Sequence, residues 1–138
     1  MIAKILMGAS AAIILTLGFV HLVYTFAGPK FLPRNAEVRS AMENTSPVLS
    51  SETTMWKAWV GFNASHSVGA ILFGLIFGYL ALSHPSLLFE STYLLFVGLA
   101  TLVGLLVLAK LYWFSIPLLG ISVSLICFAG SIIAWRYS

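Results

Sequence analysis

Two histidines and one asparagine are the residues of this chain best suited to chemistry. His21, Asn63 and His66 each stand inside a long apolar run. An imidazole can donate or accept a hydrogen bond, carry a proton or ligate a metal, and an amide offers a donor and an acceptor together. Such groups are costly in apolar surroundings unless they are paired, and they tend to mark function. On a helix, residues at i±3, i±4 and i±7 share a face. His66 therefore shares a face with Asn63, Trp59 and Ala70, and His21 with Leu17, Gly18, Tyr24 and Thr25. The candidate site read from these spacings is His21, Tyr24, Thr25, Trp59, Asn63 and His66.

Several chemistries fit that set. Two neutral imidazoles, His21 and His66, could hold a haem iron axially, with Gly18 and Gly69 making room for the macrocycle. They could hold copper or zinc, although no third strong ligand is evident to complete the set. They could bind the polar head of a quinone, sterol or other lipid, with Trp59, Phe62 and Phe73 covering its apolar body. This last reading needs the fewest missing parts. Either histidine could also act as a general acid–base, without a visible acidic partner to tune it. The competing structural reading is a hydrogen-bonded clasp from His21 to Asn63 or His66 that sets the register of two helices. No G-x-S-x-G, HExxH or P-loop pattern is present.

The elements that must position these residues are membrane helices. The chain has 138 residues, 60% hydrophobic and 8% charged, and a mean hydropathy of +1.02. A soluble domain carries roughly 25% charged residues, so lipid must be part of the solvent here. About 20 helical residues cross a ~30 Å hydrocarbon core. Four runs meet that length, at residues 5–27, 56–82, 87–109 and 115–135, with a long loop at 28–55. The reading is a single all-α domain, an integral membrane antiparallel four-helix bundle with a short interfacial helix in the first loop. That helix is expected between Pro33 and Asn44, lying on the surface or acting as a lid. Lys4 followed by an apolar run resembles a signal peptide, but the run is too long and no A-x-A site follows, so a retained helix is expected.

His84-Pro85-Ser86 is read as a tight turn, because proline ends the preceding helix. His84 itself is read as a solvated loop residue. Ser115 is expected to cap the fourth helix, with Pro117 in its first turn. Residues 46–54 are rich in Ser and Thr and should cap the second. Trp56, Trp59 and Trp113 fall at one expected interface and Trp135 at the other, where indoles favour the headgroup zone. Lys30, Arg34, Arg39, Lys57 and Lys110 share the long-loop side, against Lys4 and Arg136 on the other. The positive-inside rule then places the long loop in the cytoplasm and both termini outside. His21 and His66 flank that loop and therefore fall at similar depth. Lys110 and Ser122 are expected in the same half of the membrane.

Partners can be read from the same features. Membrane lipid is the obligatory one. Gly61, Ser65 and Gly69, the pair Gly74 and Gly78, and Gly98, Ala100 and Gly104 form small-residue faces. Such faces pack helices within a monomer, or against membrane-protein partners or a second copy. No basic stripe with interleaved aromatics exists, which argues against nucleic acid. Asn44-Thr45-Ser46 is a glycosylation triplet of low specificity. Cys127 lies in an apolar run as a small buried residue, and one thiol makes no intrachain disulfide.

The segments His21-Leu22-Val23-Tyr24-Thr25-Phe26 and Gly61-Phe62-Asn63-Ala64-Ser65-His66-Ser67 together resemble small four-span bacterial membrane proteins. The resemblance covers most of the chain and implies the same four-span fold. That group has no assigned activity, so it implies no reaction. The size also suggests the membrane-associated eicosanoid and glutathione enzymes, but the acidic, Arg-bearing second span of those enzymes is missing. Four-helix haem cytochromes share only histidines within spans.

Overall fold

The computed structural model describes residues 1–137, and among these no strand occurs. In chain order the helices are α1 (Ile2–Phe26), α2 (Ala36–Asn44), α3 (Met55–Ser83), α4 (Pro85–Glu90), α5 (Thr92–Tyr112) and α6 (Ser115–Arg136). Helices α1, α3, α5 and α6 are long and apolar enough to cross a membrane. The fold is the expected all-α four-helix bundle with a short helix in the first loop, and the chain is a multi-pass membrane protein. Each span satisfies its own backbone hydrogen bonds, which lipid demands.

Local chemistry explains most helix ends. Ala27 N–H bonds to the Val23 carbonyl, and Gly28 then turns the chain at φ 83°, a conformation that glycine adopts without a Cβ penalty. The Asn35 side chain accepts the Glu37 N–H at 2.7 Å and starts α2. The Thr54 hydroxyl accepts the Lys57 N–H at 3.3 Å at the start of α3.

Two local expectations change. Ser115 is the first residue of α6 rather than its cap; Phe114 occupies the cap position without a side-chain bond. The His84-Pro85-Ser86 turn is the start of the separate helix α4. Pro85 suits the first helical position, because its missing N–H would lack a partner there anyway. Ser91 then ends α4 and caps α5 by accepting the Leu94 N–H at 3.2 Å. The sequence signal for this break was Glu90-Ser91, a charge and a capping residue inside an otherwise apolar run. Buried Leu88 and the stacking of Phe89 on Trp135, with ring centroids 4.6 Å apart, hold α4 in place.

The chain divides into two compact units, Met1–Leu17 with Ala70–Ser138, and Gly18–Gly69. The first contains parts of all four long helices. Lipid supplies no hydrophobic drive between helices, so close packing must hold them. Gly74 meets α1 most tightly: a Cβ there would lie 2.6 Å from Leu15 Cβ and 2.7 Å from the Ala11 carbonyl oxygen. Gly98 faces Phe128 and Phe77, where a Cβ would meet ring carbons at 2.5 and 2.7 Å. Phe73 and Phe77 stack at 4.5 Å, and Phe77 meets Phe128 edge-on at 5.5 Å. Buried Ser10 and Ser124 join α1 to α6 through hydroxyls 2.8 Å apart, and Ser124 Oγ also donates to the Ser10 carbonyl at 3.0 Å. The second unit contains the end of α1, the loop with α2, and the first half of α3.

Candidate functional site

The second unit brings His21, Asn63 and His66 together. Asn63 stands one turn after Trp59 on α3 and donates Nδ2–H to the Trp59 carbonyl at 2.8 Å. That bond fixes the amide's orientation and turns Oδ1 away as an acceptor. His21 Nε2 lies 3.0 Å from this oxygen. With Oδ1 accepting, Nε2 must carry the proton, and a neutral His21 ring then presents Nδ1 as an acceptor. The His66 ring meets the His21 ring edge to face, with centroids 5.3 Å apart. All three side chains are half-buried.

The loop covers the cluster with one aromatic side chain. Phe31 packs against the His21 ring at 4.6 Å between centroids, edge to face. Its carbonyl accepts the Trp59 Nε1–H at 3.2 Å, and its ring stands 6.3 Å from the indole. Gly28 and the turn from Pro29 to Leu32, closed by a 3.1 Å backbone bond, bring Phe31 back over the helix end. The expected site did not include Phe31. Its signal was available, because it is the only aromatic residue in the loop and comes just after a Gly-Pro pair at a helix end. Ser67 was also missed: its side chain is fully buried and donates to the Asn63 carbonyl at 2.8 Å.

The other expected members have different roles. Thr25 donates its hydroxyl to the His21 carbonyl at 2.8 Å, an i−4 bond along α1. Tyr24 lies on the outer face, with the Lys30 ammonium 6.0 Å from its ring centroid. Trp59 is 43% exposed and belongs to the cluster through Phe31. Phe62, also expected to cover a ligand, is 75% exposed. Phe73, expected to cover a ligand, is buried in the first unit's aromatic stack. Ser122 and Lys110 also belong to the first unit, where the Ser122 hydroxyl donates to the Leu118 carbonyl at 2.7 Å. His84 is exposed and lies 3.1 Å from the Tyr79 hydroxyl.

The geometry tests the candidate chemistries. Edge-to-face rings at 5.3 Å are in direct contact, so no porphyrin plate fits between them. His21 Nε2, moreover, is already hydrogen-bonded. Axial haem ligation by both histidines does not fit this arrangement. Among the described residues no group of three or more His, Cys, Asp or Glu side chains converges, so a metal would find only two protein ligands. A hydrogen-bonding headgroup needs neither rearrangement nor further ligands.

The chain matches no protein-family model, no curated protein and no solved structure.

Proposed function

We propose that this multi-pass membrane protein binds an uncharged lipid through a hydroxyl headgroup at His21, Asn63 and His66. The single observation behind this reading is the chain of bonds from the Trp59 carbonyl through Asn63 to His21. It makes His21 Nε2 a donor to protein, and an Nδ1 that carries no proton would then be the atom that accepts from a ligand O–H. His21, Asn63 and His66 include no Lys or Arg to pair with a phosphate head, which favours an uncharged one. Sterol-like, quinol-like and diacylglycerol-like headgroups share the required chemistry. Phe31 would cover a headgroup bound there, since its ring packs on His21 and its carbonyl accepts the Trp59 indole N–H. In this reading the long loop stays on the cytoplasmic side, on the strength of its Lys and Arg excess.

Lipid retained through purification, identified by native mass spectrometry, tests the reading. A hydroxyl lipid should co-purify with the unaltered chain. His21→Leu should lower its occupancy about tenfold, the loss expected where a buried hydrogen bond of ~1.4 kcal/mol disappears. Equal lipid on both proteins, or only phospholipid on either, rejects the site.

A second reading makes the histidines a clasp within an accessory subunit of a larger membrane complex or a homo-oligomer. The observation in its favour is the face of Gly61, Ser65 and Gly69. All three are exposed, and a Cβ at either glycine would meet nothing within 4 Å. Migration as a lone monomer in mild detergent would count against it.

A further inference from the structure

The His21 site leaves one part of the loop unexplained. The Thr45 carbonyl accepts the Met55 N–H at 2.8 Å, so residues 46–54 form a closed excursion that leaves and returns at the first turn of α3. Within it the Ser50 N–H bonds to the Pro47 carbonyl at 3.2 Å. This is a β-turn with Val48 and Leu49 at its two central positions. Val48 is 108% exposed and Leu49 95% exposed. No charged residue lies between Thr45 and Ser51.

Two adjacent aliphatic side chains held fully open to water are unfavourable, because their apolar area gains from any covering surface. The tether limits which surface they can reach. A chain extends at most ~3.3–3.6 Å per residue, so Leu49 stays within about 14 Å of Thr45. Thr45 is bonded to the first residue of α3. Helix α3 has 29 residues, a length of about 43 Å. This matches a bilayer of ~40–45 Å with its headgroups rather than the ~30 Å core alone. The first turn of α3 therefore stands in the headgroup zone. Trp56, in that turn, has the Arg39 guanidinium 5.5 Å from its ring centroid. An indole and a cation are the pair expected at this depth.

The geometry points to the Pro47–Ser50 turn as a lipid-contact finger. It places Val48 and Leu49 in the headgroup–acyl boundary of the bilayer that α3 crosses, as a second anchor for the loop. The neutral tip carries no charge into that layer, and the closed excursion keeps it beside the span. This assignment does not depend on a ligand at His21.

Site-directed spin labelling of the full chain tests it, in nanodiscs of phosphatidylcholine and phosphatidylglycerol and in a Cys127→Ala background. One label replaces Leu49, and a reference label replaces Glu52 in the same loop. Collisions with oxygen report lipid, and collisions with a water-soluble nickel chelate report solvent. The label at 49 should show a several-fold higher oxygen-to-nickel ratio than the label at 52, and Val48→Ser should lower that ratio. Equal ratios at the two positions would place the turn in water and overturn the assignment. Shielding of position 49 from both quenchers would show a protein contact and overturn it equally.

Discussion

The two units share helices α1 and α3 but differ in where their tightest contacts and their larger polar side chains lie. In the first unit Gly74 is filled by Ala11 and Leu15 and Gly98 by Phe77 and Phe128, while Gly8 and Gly104 meet nothing within 4 Å. Its buried polar contact between helices is the Ser10–Ser124 pair, fully buried and hydrogen-bonded. In the second unit Gly61 and Gly69 face open space. Its His21, Asn63 and His66 are larger, half-buried and gathered at one place. Helix association in lipid rests on close van der Waals contact, while membrane hydrogen bonds average below ~1 kcal/mol. The contrast places the closest helix contacts, at Gly74 and Gly98, in the first unit and the half-buried polar cluster in the second.

The largest expected effect breaks or upholds this contrast directly. Gly74→Ala drives a methyl group against the α1 backbone, which cannot yield as a side chain would. It should cost about 1–3 kcal/mol of unfolding free energy in detergent. Gly69→Ala, in open space on the same helix, should be neutral or stabilising by up to ~1 kcal/mol through helix propensity. Similar losses at both positions would erase the distinction between the units.

Next in size is the serine pair. Ser124→Ala leaves the Ser10 hydroxyl without its side-chain partner and should cost about 1 kcal/mol. Adding Ser10→Ala should cost less than the sum of the single changes, because the two hydroxyls act together. Full additivity would show that they are not coupled.

Asn63→Leu sharpens the contrast from the other side. It should change stability by only ~0.6 kcal/mol, the average for a membrane hydrogen bond, yet abolish the Nε2–H preference of His21. Nitrogen chemical shifts of the labelled imidazole report that tautomer. An unchanged tautomer would mean that Asn63 does not set it.

The smallest expected effect is that of Trp59→Phe, within ~0.5 kcal/mol of the parent, as for a surface substitution. Loss of the indole N–H should still release the Phe31 carbonyl. Hydrogen exchange across residues 28–33 should then quicken while α3 keeps its protection. Unchanged exchange would remove Trp59 as a latch.

Composition and hydrophobic run length by themselves determined the class of this protein and its span count. Few charges and four apolar runs require four membrane helices. The His21 and His66 positions, each a short distance from the same loop, require similar depth. A short helix was expected between Pro33 and Asn44, and α2 spans Ala36–Asn44. The tertiary structure decided whatever depends on rotation about a helix axis and on the path of a loop. Gly69 and Gly74 look alike as letters, yet one faces open space and the other a backbone. Phe73 turned into an aromatic stack instead of over a ligand. Phe31, written as loop, became the cover of the histidines because Gly28 reversed the chain. In lipid both faces of a span can be apolar, so hydropathy carries no signal of which face turns inward. Only the packing of particular side chains supplies it.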